Sequence, residues 1–183
     1  MKRAGMYRRG KWLGSPVHIL LALSLMAVPG LAVQAHGPHV HGQAVMQVAL
    51  DEGTLHLELK VPAMDVVGFE HSPADDAQRR AVEDAKARLE EPSALVRLPL
   101  EADCSPVSAR VNTALADDGD DGGHGDFHVT HVFECAAPEA LGHLDVALGG
   151  VLSGLERLDV EVVTEEAQAR TRLQHGNQRV LMP

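Results

Sequence analysis

Apolar and polar residues alternate along much of the chain after residue 42, which is the period of a β-strand with one buried face. The alternation is clearest over Gln43–Leu50 and Thr54–Val61, and the residues between them, Asp51-Glu52-Gly53, have the composition of a turn. The two segments therefore predict a β-hairpin, which Pro62 ends.

Further strands are predicted in the second half of the chain, where apolar residues again occupy every second position. These sets are Val107, Ala109 and Val111; Phe127, Val129, Phe133 and Cys135; Leu144, Val146 and Leu148; Leu158, Val160 and Val162; and, more weakly, Ala169, Thr171 and Leu173 and the segment Gln178–Met182. The connections are too short for repeated crossover helices, so the strands are expected to be antiparallel.

One amphipathic helix is predicted between the hairpin and the later strands. Ser72 is suited to cap its first turn, and Pro73 to occupy the first helical position. The helix is expected to end near Glu91, because Pro92 follows. The fold class is therefore α+β: residues 43–183 form one domain of mainly antiparallel β-sheet with a single amphipathic helix.

The first 35 residues have the features of a cleaved signal peptide. A basic start precedes an apolar stretch at residues 19–33, and Val33-Gln34-Ala35 fits signal-peptidase cleavage before His36. The apolar stretch is too short and too broken for a membrane anchor, which is the alternative. We therefore expect a periplasmic protein that is not embedded in the membrane after cleavage. Arg8-Arg9 leaves twin-arginine export open beside the general secretory route.

Removal of this segment makes the chain strongly acidic. It contains five basic residues and no acidic one, so 11 basic and 26 acidic residues remain, with a formal charge of −15. Such a charge excludes binding to a nucleic-acid backbone, and three remaining aromatic residues, all Phe, cannot stack a series of bases. Ten of the 11 histidines also remain. An acidic chain rich in imidazole suggests a metal ion as its partner.

Two cysteines, Cys104 and Cys135, are present. In an exported chain they predict a single disulfide. The rival interpretation, a pair of thiolate metal ligands, is disfavoured by the oxidising compartment and by the absence of a C-x-x-C spacing.

The first candidate metal site is the histidine-rich segment at residues 36–42. After cleavage, the imidazole of His36 and the new α-amine can chelate one ion together. His39 and His41 are two residues apart, so on an extended chain their side chains point the same way. Nitrogen donors of this kind suit Zn²⁺, with Cu²⁺ as the alternative. The competing interpretation is a flexible terminus that binds metal weakly and incidentally.

A second group consists of His124, Asp126 and His128, which would line the solvent-facing side of one strand. His131 falls on the opposite side, with Phe127 and Phe133, and is expected to be a half-buried histidine with a hydrogen-bond partner. The acidic, glycine-rich segment 117–125 predicts a loop between two strands. Its acidic residues do not follow the order of an EF-hand loop, so a solvated loop that attracts divalent cations is expected.

Glu70 and His71 also have metal-binding side chains. They lie in the segment Val67–Pro73, just before the predicted helix. Structural roles explain this segment better, because Phe69 is suited to the core and Ser72 to a helix cap.

The chain resembles the zinc-regulated, periplasmic ZrgA-type family. The resemblance covers nearly all of residues 36–183 and rests on these motifs: His39-Val40-His41-Gly42, the Val-Gly-Phe-Glu-His-x-Pro segment at Val67–Pro73, Cys104, Asp126-Phe127 and Phe133-x-Cys135. It implies an exported zinc-binding protein that assists zinc uptake beside the substrate-binding protein of a zinc ABC transporter. Members often carry a long His/Asp-rich insert between the cysteines. Here it is reduced to Asp117–Asp126 with one histidine, which gives the N-terminal histidines more weight.

The leading hypothesis is therefore a periplasmic, non-enzymatic zinc-binding protein, and a copper-binding protein that uses the N-terminal histidines is the alternative. An enzyme is disfavoured because the chain has no G-x-S-x-G, H-E-x-x-H or phosphate-binding glycine loop. An envelope scaffold with incidental histidines is a further alternative, which predicts no thermal stabilisation by zinc.

Overall fold

The alternation of the sequence produces a β-rich structure. A computed structural model describes residues 40–116, 125–147, 151–152, 154–174 and 177–183, all within one compact unit, Gly37–Pro183. The strands are β1 Gln43–Asp51, β2 Thr54–Pro62, β3 Val96–Arg97, β4 Cys104–Thr113, β5 Asp126–Cys135, β6 His143–Ala147, β7 Arg157–Thr164, β8 Gln168–Gln174 and β9 Asn177–Leu181. The α-helices are α1 Ala63–Val67, α2 Asp76–Glu90 and α3 Pro92–Leu95.

The predicted hairpin is confirmed by the pairing of β1 with β2. Asp51 lies opposite Thr54, so Glu52 and Gly53 form a two-residue loop. Both loop residues have positive φ, 46° and 87°. This is the backbone of a type I′ turn, whose twist matches that of the two strands.

The strands form two sheets. A six-stranded sheet has the order β4-β5-β2-β1-β7-β8, and a three-stranded sheet has the order β3-β6-β9. Among the pairs of the described residues, all are antiparallel, as predicted, except β1 with β7. More than 90 residues separate these two strands, and a long connection of this kind permits parallel pairing.

One face of the six-stranded sheet is buried. Fully enclosed side chains on this face include Met46 of β1, Leu57 of β2, Phe127 of β5 and Leu158 of β7. A single core cluster joins them to buried residues of α2 and of the three-stranded sheet: Val82, Ala85, Leu89, Leu144, Val146 and Val180. The other face of the sheet carries polar residues at the intervening positions, as the alternation predicts.

The helices differ from the prediction. The described residues form three α-helices where the sequence predicts one, because α1 and α3 have only five and four residues, too few to show a helical period. The long helix begins later than predicted. Its N-cap is Asp75 rather than Ser72, and the Asp75 carboxylate accepts a hydrogen bond from the Gln78 N–H at 2.8 Å.

The predicted disulfide is confirmed. Cys104 begins β4 and Cys135 ends β5, and the two residues lie opposite each other in the antiparallel pair. The bond therefore links the edge strand β4 to its neighbour β5 at one end of their pairing. On the chain-entropy model, a bridge with this separation of 31 residues stabilises the fold by roughly 3–4 kcal/mol.

His131 connects the sheet to the end of α2. Its ring is fully buried rather than half-buried, and Nε2 donates a hydrogen bond to the carbonyl oxygen of Leu89 at 2.9 Å. That carbonyl lies in the last turn of α2, where backbone oxygens have no partner within the helix. Nδ1 has no hydrogen-bond partner among the described residues. Burial lowers the pKa of His131 below its usual 6.5, partly opposed by the bond to Leu89.

We predict that His131 makes the protein less stable in acid. Below about pH 6.5 the unfolded chain binds a proton that the folded chain resists, so the free energy of unfolding falls, by at most about 1.4 kcal/mol per pH unit for this group. The variant His131→Gln keeps a donor for Leu89 and cannot titrate. Urea unfolding between neutral pH and pH 5 should give a flatter profile for the variant, and parallel profiles would contradict this role for His131.

Candidate functional site

The start of β1 is held in place by Gly42. Its N–H lies 2.9 and 2.8 Å from the two carboxylate oxygens of Asp65, which both accept from it. Its carbonyl oxygen accepts hydrogen bonds from the N–H groups of Glu156 and Arg157, at 2.9 and 2.8 Å. This set of contacts, which we call the Gly42 anchor, fixes the chain at the residue that follows His41.

Two glycines allow this close packing. Gly42 has φ +75°, and a Cβ there would lie 3.0 Å from Cγ of Glu156. A Cβ at Gly154 would lie 3.0 Å from Cα of Asp65. Asp65 itself is 5% exposed, on the short helix α1 directly after β2. The backbone of three segments therefore converges on one buried carboxylate.

His41 lies beside a carboxylate of the folded domain. Its Nδ1 is 3.5 Å from Oε1 of Glu70, and the exposed fractions of the two side chains are 58% and 14%. The backbone around Glu70 is fixed by Gly125, whose N–H donates to the Glu70 carbonyl at 3.3 Å and whose carbonyl accepts from Ala63 at 2.9 Å. The histidine is thus accessible from solvent, whereas the Glu70 side chain is mostly buried.

Three carboxylates, those of Asp65, Glu70 and Glu156, lie close enough together around Gly42 and His41 to repel one another. Burial raises the pKa of Asp65, and repulsion from Glu70 and Glu156 raises it further. The Gly42 N–H and the charge of His41 act in the opposite direction. A cation at His41 would relieve the repulsion among these acidic groups.

The N-terminal candidate ligands fall only partly in the described structure. His41 is described, whereas His36 and His39 lie outside the described residues. In the part of the chain that the structure describes, no three His, Cys, Asp or Glu side chains converge on one point that could hold a metal ion. His41 and Glu70 therefore form a pair of potential donors rather than a closed site.

The second candidate group is not assembled among the described residues. His124 lies outside them, as does the acidic run within residues 117–124. His128 is exposed, as predicted, but Asp126 is only 6% exposed, so its predicted solvent exposure is wrong. Its carboxylate is paired with Lys60 of the neighbouring strand β2, whose Nζ lies at 3.0 Å.

Comparison with known proteins decides the family. The family model of ZrgA family zinc uptake proteins matches residues 38–182. The chain belongs to this family. A search of curated proteins finds no match. Membership of the ZrgA family indicates a role in zinc uptake and confirms the resemblance inferred from the sequence. No helix in the described part of this ZrgA-family chain is long and apolar enough to cross a membrane.

Two residues of this region, Asp65 and Glu156, are not singled out by the sequence patterns. Glu70 is a possible ligand from its side chain, but its segment favours a structural role. One signal was available for Asp65, because an acidic residue within the apolar run Ala63–Val67 must be exposed or paired. The proximity of Glu156 to Gly42 depends on the parallel pairing of β1 with β7, which the local pattern did not indicate.

We predict that Asp65→Ala destabilises this ZrgA-family protein by about 1–3 kcal/mol, because it leaves the buried Gly42 N–H without its acceptor. The exposed residue Asp84 provides a matched control, since Asp84→Ala should change stability by less than about 0.5 kcal/mol. Urea unfolding measures both effects. Equal stabilities of the two variants would mean that the Gly42 anchor does not stabilise the fold.

Proposed function

We propose that this protein binds Zn²⁺ reversibly in the periplasm as an accessory to zinc uptake. The proposed ligands are His36, His39 and His41 of the N-terminal segment together with Glu70 of the folded domain. In this proposal the protein is a binding module and not an enzyme. It would pass the ion to a partner such as the substrate-binding protein of a zinc transporter.

The observation that carries this proposal is the distance between His41 and Glu70. Ligands bound tetrahedrally at about 2.0–2.1 Å from zinc lie about 3.3 Å from each other. The separation of 3.5 Å between Nδ1 and Oε1 therefore supports ligation of one ion by both side chains with little movement. The Gly42 anchor supports the same view, because it fixes the backbone of the residue that follows His41.

The combination of donors suits reversible binding. A tetrahedral zinc site has four ligands, and His41 and Glu70 provide two of them. The other ligands must come from the preceding histidines or from water. Zinc requires neutral imidazoles, so protons compete with the ion and acid weakens its binding. Asp126 is already paired with Lys60. For that reason we centre the proposal on the N-terminal group rather than on Asp126, His124 and His128.

Calorimetric titration of the mature protein with zinc tests the ligands. We predict that His39→Ala with His41→Ala abolishes at least one site, and that Glu70→Gln weakens the same site while leaving the number of histidines unchanged. The exposed His56 on the outer face of the sheet provides the control, and His56→Ala should leave the isotherm unchanged. An isotherm that survives the double histidine substitution would exclude the N-terminal site.

Metal competition distinguishes zinc from copper. With both ions supplied at equal concentration, a site made of imidazole nitrogens alone is expected to bind copper more tightly than zinc. A contribution from the Glu70 carboxylate favours zinc relative to a site of imidazoles alone. Native mass spectrometry of the wild type and of Glu70→Gln should therefore show a larger copper fraction in the variant, and equal fractions would argue against ligation by Glu70.

A further inference from the structure

A cavity lies at the end of β1 that is remote from His41. Its volume is about 450 Å³. It opens between the turn that joins β1 to β2, the turn that joins β7 to β8, and the segment before β6. Leu50, which lines the cavity, is eight residues along β1 from Gly42, a span of about 26 Å.

The floor of this cavity is apolar and its rim is acidic. Leu50, Leu141 and Met182 form the floor, with Leu141 buried and the other two partly buried. The exposed carboxylates of four glutamates, Glu52, Glu139, Glu165 and Glu166, surround the opening. No lysine, arginine or histidine is among the lining residues.

The walls are formed by short hydrogen-bonded turns, so the cavity exists before any partner binds. Thr164 N–H donates to the Ala167 carbonyl at 2.9 Å, which closes the turn that carries Glu165 and Glu166. Met182 N–H donates to the Gly142 carbonyl at 3.1 Å, which holds the C-terminal segment against the segment before β6. Preformed walls reduce the entropy that a partner must lose on binding.

Glu52 is an unusual choice for its position in the turn. A type I′ turn requires positive φ at its first residue, where Asn, Asp or Gly is favoured. Glu52 adopts φ 46° there. Glu is therefore not favoured here by the backbone conformation of the turn. At this position its carboxylate lies on the rim of the cavity.

The apolar floor and the acidic rim indicate which kind of ligand fits the cavity. A single metal ion does not suit the rim, since within the described residues no three carboxylates converge on one point. A second copy of this chain does not suit it either, because the mature chain has 26 acidic residues against 11 basic ones. Lysine and arginine side chains combine an aliphatic stem with a cationic head, which matches an apolar floor below an acidic rim.

We propose that this cavity is the docking site for a lysine- or arginine-bearing segment of a partner protein. The aliphatic stems lie against Leu50 and Met182, and the cationic heads pair with the rim glutamates. A partner docked here leaves His41 exposed at the other end of the sheet. The proposal does not depend on zinc binding and can be tested without it.

The test uses a synthetic peptide, acetyl-Lys-Leu-Lys-Leu-Arg-amide, and the full mature chain at about 150 mM salt, where weak long-range attraction is largely screened. The pocket variant combines Glu52→Asn, Glu165→Gln and Glu166→Gln. Its Asn suits the type I′ turn, and each Gln keeps an acceptor oxygen, so the variant should fold at least as well as the wild type. The control variant combines Glu83→Gln, Asp84→Asn and Glu90→Gln on the exposed side of α2, which removes the same number of charges.

We expect the pocket variant to bind the peptide about tenfold more weakly than the wild type, since three partly exposed ion pairs are lost together. The control variant should bind as the wild type does, and zinc isotherms should be the same for all three proteins. Equal weakening in the two variants would reveal attraction to net charge alone and overturn the proposal. The absence of peptide binding to the wild type at millimolar concentration would also overturn it.

Discussion

The contact between Gly42 and the buried carboxylate of Asp65 fixes the chain directly after His41. Both oxygens of Asp65 accept from one N–H group, and the Gly42 carbonyl is held in turn by the backbone at the start of β7. The anchor therefore joins α1, β1 and β7. Since β1 lies between β2 and β7 within the six-stranded sheet, the same contact fixes a central strand and the direction in which the chain leaves it.

In the proposed zinc site, the imidazole of His41 and the carboxylate of Glu70 provide two donors, and the remaining donors come from residues before His41 or from water. This incomplete set of donors in the folded domain fits the proposal that the protein releases its ion again. His41 and the acidic cavity lie at opposite ends of β1, since His41 precedes its start and the cavity includes Leu50 near its end.

Local sequence patterns predicted most of the strands, because each inner face shows strict alternation, as Leu55, Leu57 and Leu59 do in β2. They also predicted the disulfide and the inward direction of His131. They could not predict the parallel pairing of β1 with β7, since that depends on packing between distant segments. The partners of single polar residues could not be predicted either. Alternation places Asp126 on an exposed face, but the side chain is buried and paired with Lys60 of the adjacent strand. The approach of Glu70 to His41 likewise joins segments that are distant in the sequence.

Anomalous diffraction at the zinc edge from crystals of the zinc-loaded mature protein tests the central claim most directly. The account predicts a peak within about 2.0–2.1 Å of both Nδ1 of His41 and Oε1 of Glu70, with the Gly42 anchor intact. A zinc ion bound with full occupancy elsewhere, while His41 and Glu70 carry no peak between them, would contradict it.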